Sequence, residues 1–74
     1  MTKGYKLDNT FTKVATGSCV IQVQEPKSNI QVYVGSNPNE YDAFIVSDIF
    51  SYNGVNDVYV KANKPTKIVV DDGE

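Results

Sequence analysis

The sequence predicts an all-β protein, a small antiparallel β-sandwich or barrel of five to six strands. Three observations carry this. Val, Ile, Thr, Tyr and Phe are frequent while strong helix formers are sparse. Apolar and polar residues alternate at period two in several short runs. Gly, Pro, Asn and Asp break the chain at short intervals, as turns between strands do. With 74 residues there is room for one domain, and a chain of that size buries only about 60% of its unfolded surface. The core is therefore thin, and partner subunits are an expected source of extra stability.

Residues 1–10, MTKGYKLDNT, are polar with isolated Tyr5 and Leu7 and read as an N-terminal arm, mobile or docked on a neighbour. Residues 11–74 form the single β-domain, with a first short strand over Thr10 to Ala15. After Thr16-Gly17, SCVIQVQ points Cys19, Ile21 and Val23 to the core and Val20, Gln22 and Gln24 outward. EPKSN, residues 25–29, is a turn. IQVYV then sends Ile30, Val32 and Val34 inward and Gln31 and Tyr33 outward. GSNPNEYD, residues 35–42, is the longest turn-rich stretch. AFIVSDIFSY follows as one strand, bulged or bent at Asp48, and Asn53-Gly54 is a tight-turn pair. DVYVKA places Val58, Val60 and Ala62 inward and Tyr59 and Lys61 outward. After Asn63-Lys64-Pro65, TKIVV is the last strand before the acidic end, DDGE.

Composition excludes several functions. Histidine, arginine and tryptophan are absent and the formal charge is −2. The usual general base is therefore missing, and neither a guanidinium fork nor a basic surface is available for nucleic acid. One cysteine, Cys19, permits no intrachain disulfide and no cysteine-based zinc site. It falls on the core face without a histidine to activate it, so a buried small hydrophobe is its expected role. No Ser, Lys or carboxylate arrangement suggests catalysis, so the chain reads as a non-enzyme without cofactor. Acidic residues occur at Glu40 and Asp42, Asp48 and Asp57, and Asp71, Asp72 and Glu74. The spacing of a calcium loop is missing, so no metal is expected and the terminal acids read as a solvated tail. No stretch suits a signal peptide or a membrane span.

Two features offer candidate sites. VYVGSNP at 32 is echoed 26 positions later by VYVKANKP at 58. A shared strand-then-turn pattern accounts for the echo without a duplicated site. Its functional remainder is an interface at the outward Tyr33 and Tyr59, because tyrosine is enriched where protein surfaces meet. The loop GSNPNEYDAF is the second. Asn37, Asn39, Glu40, Tyr41 and Asp42 could hydrogen-bond and stack on a sugar or contact a protein, beside the simpler reading as a surface loop.

The order KVATGSCVIQVQ, IQVYVGSNPNEYDAFIV and SYNGVNDVYVKANKPTKIVVDD resembles small structural proteins encoded among the virion genes of tailed bacteriophages. The likeness spans roughly residues 14 to 72, and its motifs are short. It implies a virion accessory component, a head decoration, fibre or tail-associated module, made in the host cytoplasm. It also implies self-assembly as a trimer or another small homo-oligomer and contact with other virion proteins. The polar start MTKGYKLDNTFTK has no place in that pattern, and Lys61 stands where arginine is common. Two readings from other classes are a module for host-surface carbohydrate, centred on Tyr41, and a small phage regulator that binds an enzyme.

Overall fold

The computed structural model describes residues 1–25 and 28–73. Those residues form eight strands and no helix: β1 (Thr2–Leu7), β2 (Thr12–Thr16), β3 (Cys19–Val23), β4 (Ile30–Val34), β5 (Phe44–Val46), β6 (Ile49–Tyr52), β7 (Asp57–Lys61) and β8 (Thr66–Asp71). They make two four-stranded sheets, ordered β1-β8-β3-β6 and β2-β7-β4-β5. All neighbours are antiparallel. The all-β class and its antiparallel pairing hold, but the strand count is eight rather than five or six. Every connection except β4–β5 carries the chain from one sheet to the other.

Strand phase explains where the core sits. On β3 the burial pattern alternates strictly, with Cys19, Ile21 and Val23 inside and Val20 and Gln22 outside. Ile68 and Val70 of β8 join them through the registers Ile21↔Val70 and Val23↔Ile68. From the second sheet, Ile30 and Val32 of β4 and Val58 and Val60 of β7 are all at 0% exposure and meet them in one hydrophobic cluster. The Cα trace measures 28 × 26 × 15 Å, a thickness that suits two layers spaced about 10 Å apart. Each of the eight valines and isoleucines among these nine side chains contributes about 1.5–3 kcal/mol on burial.

Four expectations need correction. The N-terminal segment is an edge strand of its own chain: β1 pairs along its length with β8, from Thr2↔Asp71 to Leu7↔Thr66. Tyr5 and Leu7, two residues apart, face inward, with Leu7 2% exposed, and that period-two pair holds the strand down.

AFIVSDIFSY is two strands in different sheets. β5 ends at Val46 on the edge of the second sheet, Ser47-Asp48 turns the corner, and β6 begins at Ile49 on the edge of the first. The Asp48 carbonyl continues the new ladder by accepting from Val23 N at 2.8 Å. Asn53-Gly54 likewise joins strands of different sheets through residues 53–56 and closes no two-residue hairpin.

Asp71 and Asp72 are tethered rather than free in a tail. Asp71 ends β8, and the Met1 ammonium lies 3.5 Å from its carboxylate and 3.2 Å from that of Asp72. Loss of hydration pulls the pKa of that ammonium down, but the Asp72 hydrogen bond and the charges of Asp72 and Asp71 outweigh it and the net shift is upward. Pro26 and Lys27 of the expected turn, and Glu74 of the tail, lie outside the described residues.

The fourth correction is Lys61. Its phase is outward, yet it is only 6% exposed. The loop between β4 and β5 folds over the outer face of the second sheet, and Glu40 from that loop pairs with the Lys61 ammonium. The same ammonium stands 5.6 Å from the Phe11 ring centroid, so a carboxylate and a π face replace the water it gave up.

Candidate functional site

The outer face of the second sheet gathers the residues that the echo singled out. Tyr33 and Tyr59 are direct cross-strand partners on β4 and β7, with ring centroids 6.4 Å apart. Phe11 stands edge-on to Tyr33 at 6.5 Å. Both tyrosines are half-buried and packed on one another, with Tyr33 also against Phe11. Their outward direction agrees with strand phase, while most of the ring surface is already used within the chain.

The hydroxyls reveal a repeat that the VYV echo obscured. Tyr33 Oη accepts from Asn37 N at 3.3 Å, and Tyr52 Oη accepts from Asn56 N at 3.1 Å. In each case the glycine two residues after the tyrosine lies under the ring. A Cβ on Gly35 would come within 2.8 Å of Tyr33 Oη, and one on Gly54 within 2.2 Å of Tyr52 Oη. The shared unit is Tyr-x-Gly-x-Asn, at 33–37 and 52–56, in which a tyrosine at a strand end reaches forward to fasten the following loop. The second VYV copy lacks it, since Lys61 stands where the glycine would be. The signal was present in the sequence, in a spacing of 19 rather than 26.

The loop over this face is fastened by its own side chains. Asn39 Nδ2 donates to the Asn37 carbonyl and to Asp42 Oδ2, both at 3.1 Å, and Asn39 Oδ1 accepts from Asp42 N at 3.0 Å. Asn37, Asn39 and Asp42 therefore hold the loop's shape. Tyr41 is 99% exposed at its tip. Two further acids have partners: Glu40 is on Lys61, and Asp57 lies 4.0 Å from the Lys13 ammonium. Among the described residues, no three His, Cys, Asp or Glu side chains converge as a metal site. Cys19 is buried, and burial followed by the negative charge of Asp72 pushes its thiol pKa up, away from a reactive thiolate.

A different surface went unrecognised in the sequence. β5 and β6 are the outer strands of the two sheets on the same side of the molecule, joined by the two-residue corner. Phe44, Ile45 and Ile49 are 58%, 74% and 57% exposed. The Phe44 and Phe50 rings meet at 5.8 Å across the gap between the sheets. The registers Val32↔Phe44 and Ile21↔Phe50 give these two rings the inward phase, and Gln31↔Ile45 and Gln22↔Ile49 give the isoleucines the outward phase. The available signal was the unbroken run Phe44-Ile45-Val46, apolar on both faces where a half-buried strand would alternate.

An open cleft of 640 Å³ lies at the far side, where Tyr5 and Lys6 of β1 approach Gln24, Glu25 and Lys67. Lys6 and Lys67 sit opposite one another in the ladder, and Glu25 Oε2 accepts from Lys67 N at 2.6 Å. No protein-family model, no curated protein and no solved structure matches the chain.

Proposed function

We propose that this chain is a non-enzymatic structural module of a tailed-bacteriophage particle, a small β-sandwich that self-assembles and attaches to other virion proteins as a head decoration, fibre or tail component. The observation that carries the reading is the apolar side formed by β5 and β6, where large hydrophobic side chains meet water on two adjacent sheet edges. A thin-cored domain with such a side gains stability when another subunit covers it. The tyrosine-fastened loops support a rigid scaffold, and the particle assignment itself comes from the resemblance of the strand and loop order to virion proteins. The test is mass spectrometry of purified virions from a phage that encodes the chain. Stoichiometric copies relative to a capsid or tail protein are expected. Its presence in infected cells but absence from particles would remove the reading and favour a regulator.

Tyr41 favours a second reading. An almost fully exposed aromatic ring on a loop held by Asn37, Asn39 and Asp42 is a platform on which a sugar ring can stack. Binding on a glycan array that disappears in Tyr41→Ala would support it. An array without hits would remove it.

A further inference from the structure

The four sheet edges are not alike. β1 carries Lys3, Gly4 and Lys6, and β2 carries Lys13 with a register shift between Lys13 and Ala15. Charged side chains and irregular pairing are the usual guards against edge-to-edge association. The Tyr5 hydroxyl also reaches from β1 to the Val14 carbonyl of β2 at 3.5 Å, tying that side together. On the opposite side, β5 is Phe-Ile-Val and β6 is Ile-Phe-Ser-Tyr, with no charge, proline or glycine in either. One side of the molecule is guarded and the other is bare.

We infer that β5 is the interface for a second copy of this chain, pairing antiparallel with β5 of the partner about a two-fold axis that passes midway between the two copies of Ile45. This rests on the self-assembly reading above and names its surface. A two-fold contact must be self-complementary, each residue meeting its symmetry counterpart. A three-residue strand centred on Ile45 meets this condition: Ile45 faces Ile45 of the partner subunit, and Phe44 faces Val46 of the partner subunit. The second sheets of the two copies then run on as one eight-stranded sheet. Directly opposed side chains in such a ladder have Cβ atoms about 4.5–5.5 Å apart, so the two isoleucines cover each other on the outer face. Phe44, inward in phase but 58% exposed, gains a wall.

Phe44, Ile45 and Ile49 together expose roughly 300–400 Å² along the two adjoining edges, with Ile45 on the outer face of one sheet, Ile49 on that of the other and Phe44 between them. A standard interface takes about 800 Å² from each partner, with an apolar centre and a polar rim. These side chains supply the centre, and Gln22, Gln31 and Asp48, beside them in the ladders and at the corner, stand where a rim would lie.

Sedimentation velocity on the full chain from micromolar to about 0.5 mM tests this, with far-UV circular dichroism to establish folding. The wild type is expected to reach the dimer coefficient. Ile45→Lys, at an exposed outward position, is expected to stay folded and to weaken dimerisation at least tenfold. Val55→Lys, at a loop position 86% exposed and outside the edge, is expected to dimerise as wild type. Ile45→Cys keeps the edge apolar, and under oxidised glutathione it is expected to give a disulfide-linked dimer that wild type, with its single buried Cys19, does not form. A wild type that oligomerises while Ile45→Lys does so equally overturns the β5 pairing and leaves self-assembly standing. A wild type that stays monomeric throughout overturns both. Failure of Ile45→Cys to cross-link within an otherwise intact dimer overturns the two-fold register.

Discussion

Removing the carboxylate of Glu40 should harm the protein more than removing the charge of Lys61, although the two groups form one ion pair. The asymmetry comes from burial: the Lys61 side chain is 8% exposed and the Glu40 side chain 60%. Glu40→Ala strands an ammonium among Phe11, Gln31 and the loop, without its counter-charge. Stripping one partner from a fully buried pair costs about 3–5 kcal/mol, and an exposed pair contributes at most about 1 kcal/mol. With one end open to water, about 2 kcal/mol is the expected cost of Glu40→Ala. Lys61→Met keeps an unbranched stem against Phe11 and leaves behind a carboxylate that water already reaches, so its cost should stay below about 1 kcal/mol. In the double variant the loss should be close to that of Lys61→Met alone, because the stranded charge is gone. Urea unfolding followed by circular dichroism and tyrosine fluorescence reads these differences. In a domain of this size 2 kcal/mol also lowers Tm by roughly 8–16 °C. Lys61→Met costing as much as Glu40→Ala would refute the reasoning, since it would place the value of the pair in attraction rather than in avoided desolvation.

Other expectations follow from the same geometry. Val60→Ala, at a fully buried position in the centre of the second sheet, should cost about 1–3 kcal/mol with an unchanged denaturant slope, read from the urea midpoint. Gly35→Ala should cost a similar amount, about 1–3 kcal/mol, because φ is +141° there and the new Cβ would press on the Tyr33 ring, whereas Ser36→Ala next to it should be nearly silent in the same assay. Cys19 should react with Ellman's reagent far more slowly in the native chain at pH 8 than in guanidinium. Because its pKa is raised on folding from an ordinary value of 9.0, the associated stability is fully present below that pH and declines as pH rises past it. Equal native and denatured labelling rates would contradict the buried placement.

Strand phase was legible wherever an apolar run alternated. Cys19-Ile21-Val23, Ile30-Val32 and Val58-Val60-Ala62 are buried as their period required, because a one-residue slip would have moved each set into water. What failed depended on partners distant in sequence. Tyr5 and Leu7 carried the period of a strand, but a pair alone could not show that β8 waited 59 to 69 residues away. Apolar residues continue on both sides of Ser47-Asp48 without glycine or proline, so Asp48 announced a bulge or bend within one strand and not a change of sheet. Lys61 read as exposed because a charged residue at an outward position usually is; its burial depends on a loop 21 residues earlier folding back across the face. Among the candidate residues, Asn37, Asn39 and Asp42 fell together as expected for one loop, yet their hydrogen bonds face one another. The exposed edge at Phe44, Ile45 and Ile49 was not legible because a short apolar run reads equally well as a strand buried on both faces.

The alternation of the chain between its two sheets has a consequence for how the protein comes into being. Among the described strands only β4 and β5 are joined as a local hairpin; every other ladder waits for a strand made earlier or later. β8 follows the other seven described strands in sequence and lies between β1 and β3 in the first sheet. Until the ribosome has released it, β1 has no neighbour to pair with and the apolar row of β3 lacks half its cover. Such non-local architectures fold on the millisecond-to-second scale rather than in microseconds. Folding thus waits until β8 has emerged, and a chain truncated before residue 66 would be unstructured rather than a smaller domain.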